Sequence, residues 1–222
     1  METKNGFILL DFIKQLFNGW KRVAVLMILG GLCGVGASKL LTPIYETRAA
    51  IAVTIDYTLT GALSDIQEDQ AMRGIGSLID SDLVREKVRL KAEQNGIQID
   101  QNSMVQNFTV EREDFRWFLR VRDADPLQAA AFANWWAEEA MLTLDSAMEH
   151  AVIADHYQHY LDTLDYCLQR LAPEEMSENA CANLDFDYLS KEIEKTAVAI
   201  RDEQVLSYGL MPALQFFLAE EA

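Results

Sequence analysis

The chain has 222 residues, with 19 Lys and Arg against 35 Asp and Glu, for a formal net charge of −16. Beyond residue 42 the imbalance deepens: 33 acids face 14 bases, a balance of 14 − 33 = −19, and after residue 122 there are 20 acids and 4 bases. Charge of that sign argues against nucleic acid, and against the surface of an anionic bilayer, as partners of this outer part. Roughly 180 residues lie there, enough for one domain with a real core and an elongated helical extension.

Phe7, Leu10, Phe12, Ile13, Leu16, Phe17 and Trp20 recur at near-helical spacing, with Asp11, Lys14 and Gln15 among them. Residues 1–22 therefore read in one of two ways. They form a short interfacial helix on the cytoplasmic leaflet, with Trp20 at headgroup depth, or they extend the helix that follows. Residues 23–41 are an apolar run in which only Ser38 and Lys39 are clearly polar. At ~1.5 Å per residue that run spans ~28 Å, close to the hydrocarbon thickness of a bilayer, so residues 23–42 are predicted to be a transmembrane helix. Lys14, Lys21 and Arg22 lie on its N-terminal side, and the first residues beyond Leu41 are uncharged. The positive-inside rule then predicts a cytoplasmic N-terminus and an extracytoplasmic remainder. Val35-Gly36-Ala37 is a small-residue cleavage pattern. The long n-region and the length of the apolar run favour a retained anchor over a cleaved signal peptide.

Thr42-Pro43 ends the membrane helix, because proline cannot continue the backbone ladder. Residues 48–57 read as a strand in which Ile51, Val53, Ile55 and Tyr57 alternate with Ala50, Ala52, Thr54 and Asp56. A turn at 60–64 leads to helices at 65–79 and 81–95. The second carries Leu83, Val84, Val88 and Ala92 on one face and stops at Asn95-Gly96. A hairpin pairs residues 107–112 with 115–122, placing Trp117, Leu119 and Val121 on one face. Asp125-Pro126 opens a long helix, an acceptor at the N-cap followed by proline at the first helical position. With no Gly or Pro until Pro173, that helix runs from 126 to about 171, a length of ~69 Å. Residues 173–183 are a polar break, 184–204 a return helix, and 206–218 a final extended segment interrupted by Pro212.

The predicted fold class is α+β. A small mixed α/β membrane-proximal domain, residues 43–125 and 205–222, carries a long protruding helical hairpin at 126–204. Leu161, Leu164, Leu168 and Leu171 alternate at spacings of three and four, a coiled-coil seam. Apolar seams on so long a hairpin are hard to cover within one domain, which predicts self-association of parallel subunits side by side. Cys33 lies in the membrane run, leaving Cys167 and Cys181 as the outer pair that flanks the polar break. In an oxidising compartment these two form a disulfide; the alternative is two reduced thiols on separate helix faces.

No catalytic, cofactor or metal site is expected. His150, His156 and His159 lie close together, and His156 with His159 and Asp155 or Asp162 has helical metal-pair spacing. A third strong ligand is missing, so solvated helix histidines are the better reading. Gly74-x-Gly76 has no strand before it and is not a phosphate loop. No Ser or Cys stands in a nucleophile context. Gly30 and Gly34 put small residues on one face of the membrane helix, where another helix can approach closely; glycine is also simply common in such spans. Trp135 and Trp136 read either as a sugar-stacking platform or, beside Phe132 and Ala133, as core.

Four pieces of sequence together resemble the chain-length determinant (Wzz-type) family of polysaccharide co-polymerases. The first is the apolar helix running into Thr42-Pro43-Ile44-Tyr45-Glu46-Thr47-Arg48-Ala49. The second is Ile79-Asp80-Ser81-Asp82-Leu83-Val84-Arg85-Glu86-Lys87-Val88. The third is a strand followed by Asp123-Ala124-Asp125-Pro126-Leu127-Gln128-Ala129-Ala130-Ala131-Phe132-Ala133-Asn134. The fourth is Ser207-Tyr208-Gly209-Leu210-Met211-Pro212-Ala213-Leu214-Gln215-Phe216. The resemblance implies a non-enzymatic, ring-forming membrane scaffold without cofactor, resident in the bacterial inner membrane with its main domain outside. It would regulate the chain length of an exported O-antigen, capsule or exopolysaccharide. Its implied partners are copies of itself, the polysaccharide polymerase, the nascent polysaccharide and the bilayer. Members of the family continue through a proline-rich stretch into a second membrane helix, and this sequence departs from that pattern in stopping at Ala222. The competing function is the extracytoplasmic ligand-binding domain of a membrane-anchored receptor.

Overall fold

The computed structural model describes residues 9–40, 43–170, 181 and 185–222. The chain divides into two compact units, Met1–Pro43 and Ile44–Ala222.

In the first unit, helix α1 (Leu9–Leu40) is continuous over 32 residues. From Leu9 onward the backbone is helical without a break into the apolar run. Within α1, Gly19–Gly36 is long and apolar enough to cross a membrane.

The second unit is built on a four-stranded antiparallel sheet of order β2-β3-β1-β4. Strand β1 (Tyr45–Ile55) begins and ends earlier than its alternation suggested. It starts at Tyr45 because the backbone there already pairs with Asp123 of β3. It stops at Ile55 because the Asp56 carboxylate accepts from the Thr58 N–H at 2.9 Å and its hydroxyl at 2.6 Å. That local acceptor competes with the ladder, so Tyr57 opens the one-turn helix α2 (Tyr57–Thr60) instead of extending the strand. Helix α3 (Asp65–Ile79) starts on a reciprocal capping box between Ser64 and Gln67. Helix α4 (Asp82–Gln94) is capped by Ser81 and ends at Asn95. Gly96 follows with φ +78°, and the Ile97 N–H reaches back to the Ala92 carbonyl at 3.0 Å.

Helix α5 (Gln101–Asn107) had no counterpart in the sequence reading. It is a seven-residue helix capped by Asp100, and it buries one side chain, Met104. The hairpin of β2 (Phe108–Glu113) and β3 (Arg116–Asp123) turns through Asp114, whose φ of +54° is tolerable for a short polar residue. Helix α6 (Pro126–Arg170) is 45 residues long and opens with the Asp125 carboxylate accepting from the Leu127 N–H at 2.9 Å. Helix α7 (Phe186–Leu206) returns along it. The terminal extended segment is shorter than predicted. Ser207 to Ala213 form turns, and only β4 (Leu214–Glu220), beyond Pro212, joins the sheet.

The core lies between one face of the sheet and the first half of α6. Phe132, Ala133, Trp136, Ala137, Ala140 and Leu144 pack there with Ile51, Val53, Leu119 and Val121. The alanines let the helix backbone approach the sheet closely, and each large side chain buried contributes roughly 1.5–3 kcal/mol. Trp136 is fully buried and its indole N–H donates to the Ile79 carbonyl at 3.0 Å. That bond satisfies one of the carbonyls left unpaired at the C-terminus of α3. Trp135 packs partly buried against the same cluster, edge-on to Phe132. Neither tryptophan is a solvent-facing platform.

Candidate functional site

The distal half of α6 and the return helix α7 form the most distinctive feature of the outer unit. Leu164 and Cys167 of α6 are buried against Leu189 of α7, with Leu168, Cys181 and Ile193 packed around them. Leu161 is half-buried on the same stretch, and Leu171 lies outside the described residues. Contacts of Leu164 with Leu189 and of His150 with Glu203 fix the two helices as antiparallel. Within the chain, Leu164 and Leu168 of the predicted seam meet apolar side chains of α7, Leu189 and Ile193. Cys167 and Cys181 are joined by a disulfide with their Cα atoms 5.4 Å apart.

The three histidines do not converge. His150 is not simply solvated: its Nδ1 lies 2.6 Å from Glu203 Oε2, across the α6–α7 interface. His159 contacts Asp155 one turn away at 3.5 Å. Among the described residues, no group of three or more His, Cys, Asp or Glu side chains could hold a metal ion. Gly74 and Gly76 sit inside α3 rather than in a loop. Gly76 has a packing role, since a Cβ there would lie 2.2 Å from the Trp117 ring.

Charged pairs tie the outer unit together. On the sheet face opposite the core, Glu46 accepts from Arg122 Nε at 2.7 Å and from Arg120 Nη1 at 3.1 Å. Those two hydrogen bonds, Arg122 first, hold the Glu46 carboxyl below the usual carboxylate range. Arg48 lies over the Phe118 ring at 4.7 Å and also pairs with Glu220. On the core side Lys91 of α4 bridges to Glu138 at 2.7 Å and to Glu139 at 3.3 Å on α6. Burial pulls the Lys91 ammonium down, and the two carboxylates outweigh it and hold its pKa above the ordinary value.

In α1, Gly30 and Gly34, like Gly19, Gly31 and Gly36, have open space where a Cβ would be. The apolar helix, β1, α3 and most of α4 occupy one continuous stretch of sequence, and that stretch is shared. Residues 6–91 match the Wzz family, chain length determinant protein. No curated protein matches the chain. Two of the four resembling pieces, residues 42–49 and 79–88, lie inside the Wzz match, whereas 123–134 and 207–216 lie beyond it. The Wzz match points to a chain-length determinant role in polysaccharide biosynthesis and to association with the inner membrane.

One surface escaped the sequence reading. A groove of about 490 Å³ runs between α6 and β4, lined in part by Ala137, Met141, Leu142 and Leu218. Its only signal in the sequence is the uncharged stretch Leu-Gln-Phe-Phe-Leu-Ala at 214–219. The helix flank that completes it is some eighty positions away, and nothing local joins the two.

Proposed function

We propose that this chain is a non-enzymatic membrane scaffold that regulates the length of an exported cell-surface polysaccharide. The observation that carries the reading is the Wzz match over residues 6–91, which joins the apolar helix to the folded outer unit in one stretch. In this reading α1 is a retained anchor with its N-terminus in the cytoplasm, because Lys21 and Arg22 precede the span. The α/β portion lies near the membrane outside the cell interior, and residues 126–204 project from it as a hairpin closed by the Cys167–Cys181 bond. The scaffold works as a homo-oligomer on the polysaccharide polymerase, and the nascent polymer is its second partner. Helix packing through Gly30 and Gly34 contributes to that assembly within the bilayer.

The chain length of the polymer is the direct test. Deleting the gene should leave polysaccharide synthesis running while the length distribution, resolved on gels, broadens or shifts. Complete loss of polymer would indicate a synthetic or export role. An unchanged profile would overturn length control and favour a ligand-binding receptor.

A further inference from the structure

The two edges of the sheet are guarded differently. Natural edge strands are blunted by charge, proline or a covering element, because their unpaired N–H and C=O groups recruit further strands. Strand β2 follows that rule, with Glu111, Arg112 and Glu113 along it. Strand β4 does not: among the described residues it pairs with β1 on one side only, and residues 214–219 contain neither charge nor proline. Phe217 and Leu218 are 48% and 42% exposed. Beside β4 runs the apolar groove, where Leu142 is 55% exposed and the carboxylates of Glu138 and Glu221 lie among the walls.

Main-chain donors and acceptors in strand register are matched by another extended polypeptide, with pockets beside the strand reading alternate side chains. A sugar polymer or a lipid cannot reproduce that register. Charge then chooses among polypeptides. A second copy would bring an outer part of balance 14 − 33 = −19, and its own β2 edge presents Glu111 and Glu113. Carboxylates would meet Glu221 and Glu138, which shares its cationic neighbour Lys91 with Glu139, an arrangement that like-charge repulsion penalises. We propose that the β4 edge and the adjoining α6 groove dock an extended segment of a different protein, apolar at alternate residues and flanked by Lys or Arg. The docking surface goes beyond the length-control reading and does not depend on it.

The test uses the full chain in lipid nanodiscs and a capped heptapeptide of alternating valine and threonine between terminal lysines. Binding is followed by fluorescence anisotropy, and amide hydrogen exchange locates the footprint. Saturable binding that slows exchange in β4 is expected, and replacing the two lysines by glutamates should weaken it by about tenfold. L142K and L218K, at exposed positions outside the core, should weaken it similarly. Should either variant fail to fold, the footprint on the unaltered chain still decides. Absence of saturable binding, equal affinity for the glutamate-flanked peptide, or protection elsewhere than β4 would overturn the proposal. So would a photo-crosslinker at position 142 that captures only a second copy in cells.

Discussion

At Gly76, α3 passes directly against the Trp117 ring of β3. A Cβ there would meet the Trp117 ring at 2.2, 2.6 and 2.7 Å, and that ring is itself buried. Gly76→Ala should therefore destabilise the outer unit by about 1–3 kcal/mol, the usual cost of overpacking, although alanine is the better helix former. Urea unfolding of the variant checks this, and Trp117→Leu in the same chain should recover part of the loss. Unaltered stability would show that α3 can lift off the sheet at no cost. Glu46 gives a second residue-scale expectation. Its folded pKa is depressed, so its contribution is present above the unfolded carboxylate value and is lost as pH falls through the lower folded one. Glu46→Gln should cost below about 1 kcal/mol near neutrality, because the pair is partly exposed and screened. The difference from the unaltered chain should close in strongly acid solution, as urea midpoints at the two pH values would show.

At the scale of elements, the hairpin depends on a thin apolar contact and one covalent bond. Leu164, Cys167 and Leu189 are the buried residues of its distal cluster. Cys167→Ser, or reduction, should destabilise the α6–α7 tip by about 3 kcal/mol on chain-entropy grounds for the 14-residue separation. Limited proteolysis with and without reductant reads this out: cleavage near the tip should accelerate while the α/β portion stays resistant. Equal cleavage rates would mean that packing alone holds the tip. Elements governed by neighbouring residues were legible in the sequence. Asp125-Pro126 announced the start of α6, and Asn95-Gly96 the end of α4, because caps depend on a few adjacent atoms. The elements that tertiary packing decides were not. Helix α5 is too short to show periodicity and is stabilised by seating Met104 in the core. The leucine spacing announced an apolar seam but not which side chains of α7 would meet Leu164 and Leu168, because a seam names its chemistry and not its partner. The β4 groove stayed hidden for a related reason, since its two walls lie about eighty residues apart in the chain.

Across the whole molecule, charge constrains any assembly. Residues 126–206 hold 16 acids and 4 bases, a balance of 4 − 16 = −12. Copies placed side by side in one membrane would bring these hairpins into mutual repulsion, and the buried Leu164 is already occupied by α7. Self-association should then strengthen as salt rises, since the screening length contracts to about 8 Å near 0.15 M and about 3 Å at 1 M. Sedimentation of the detergent-solubilised chain across that range measures it. Weakening with salt would place ion pairs, rather than apolar contacts, at the interface.

Helix α6 belongs to two regions at once. Phe132, Trp136 and Leu144 hold its first half in the core, Leu164 and Cys167 hold its second half in the hairpin, and no glycine or proline interrupts it. A rod of that kind has no joint. A sideways load on the tip cannot be absorbed by bending near the root without breaking the i→i−4 ladder, so it arrives as torque on the side chains that fill the core. The hairpin is in this sense a handle on the sheet, and strain applied at one end is felt where β1 and β3 meet the helix.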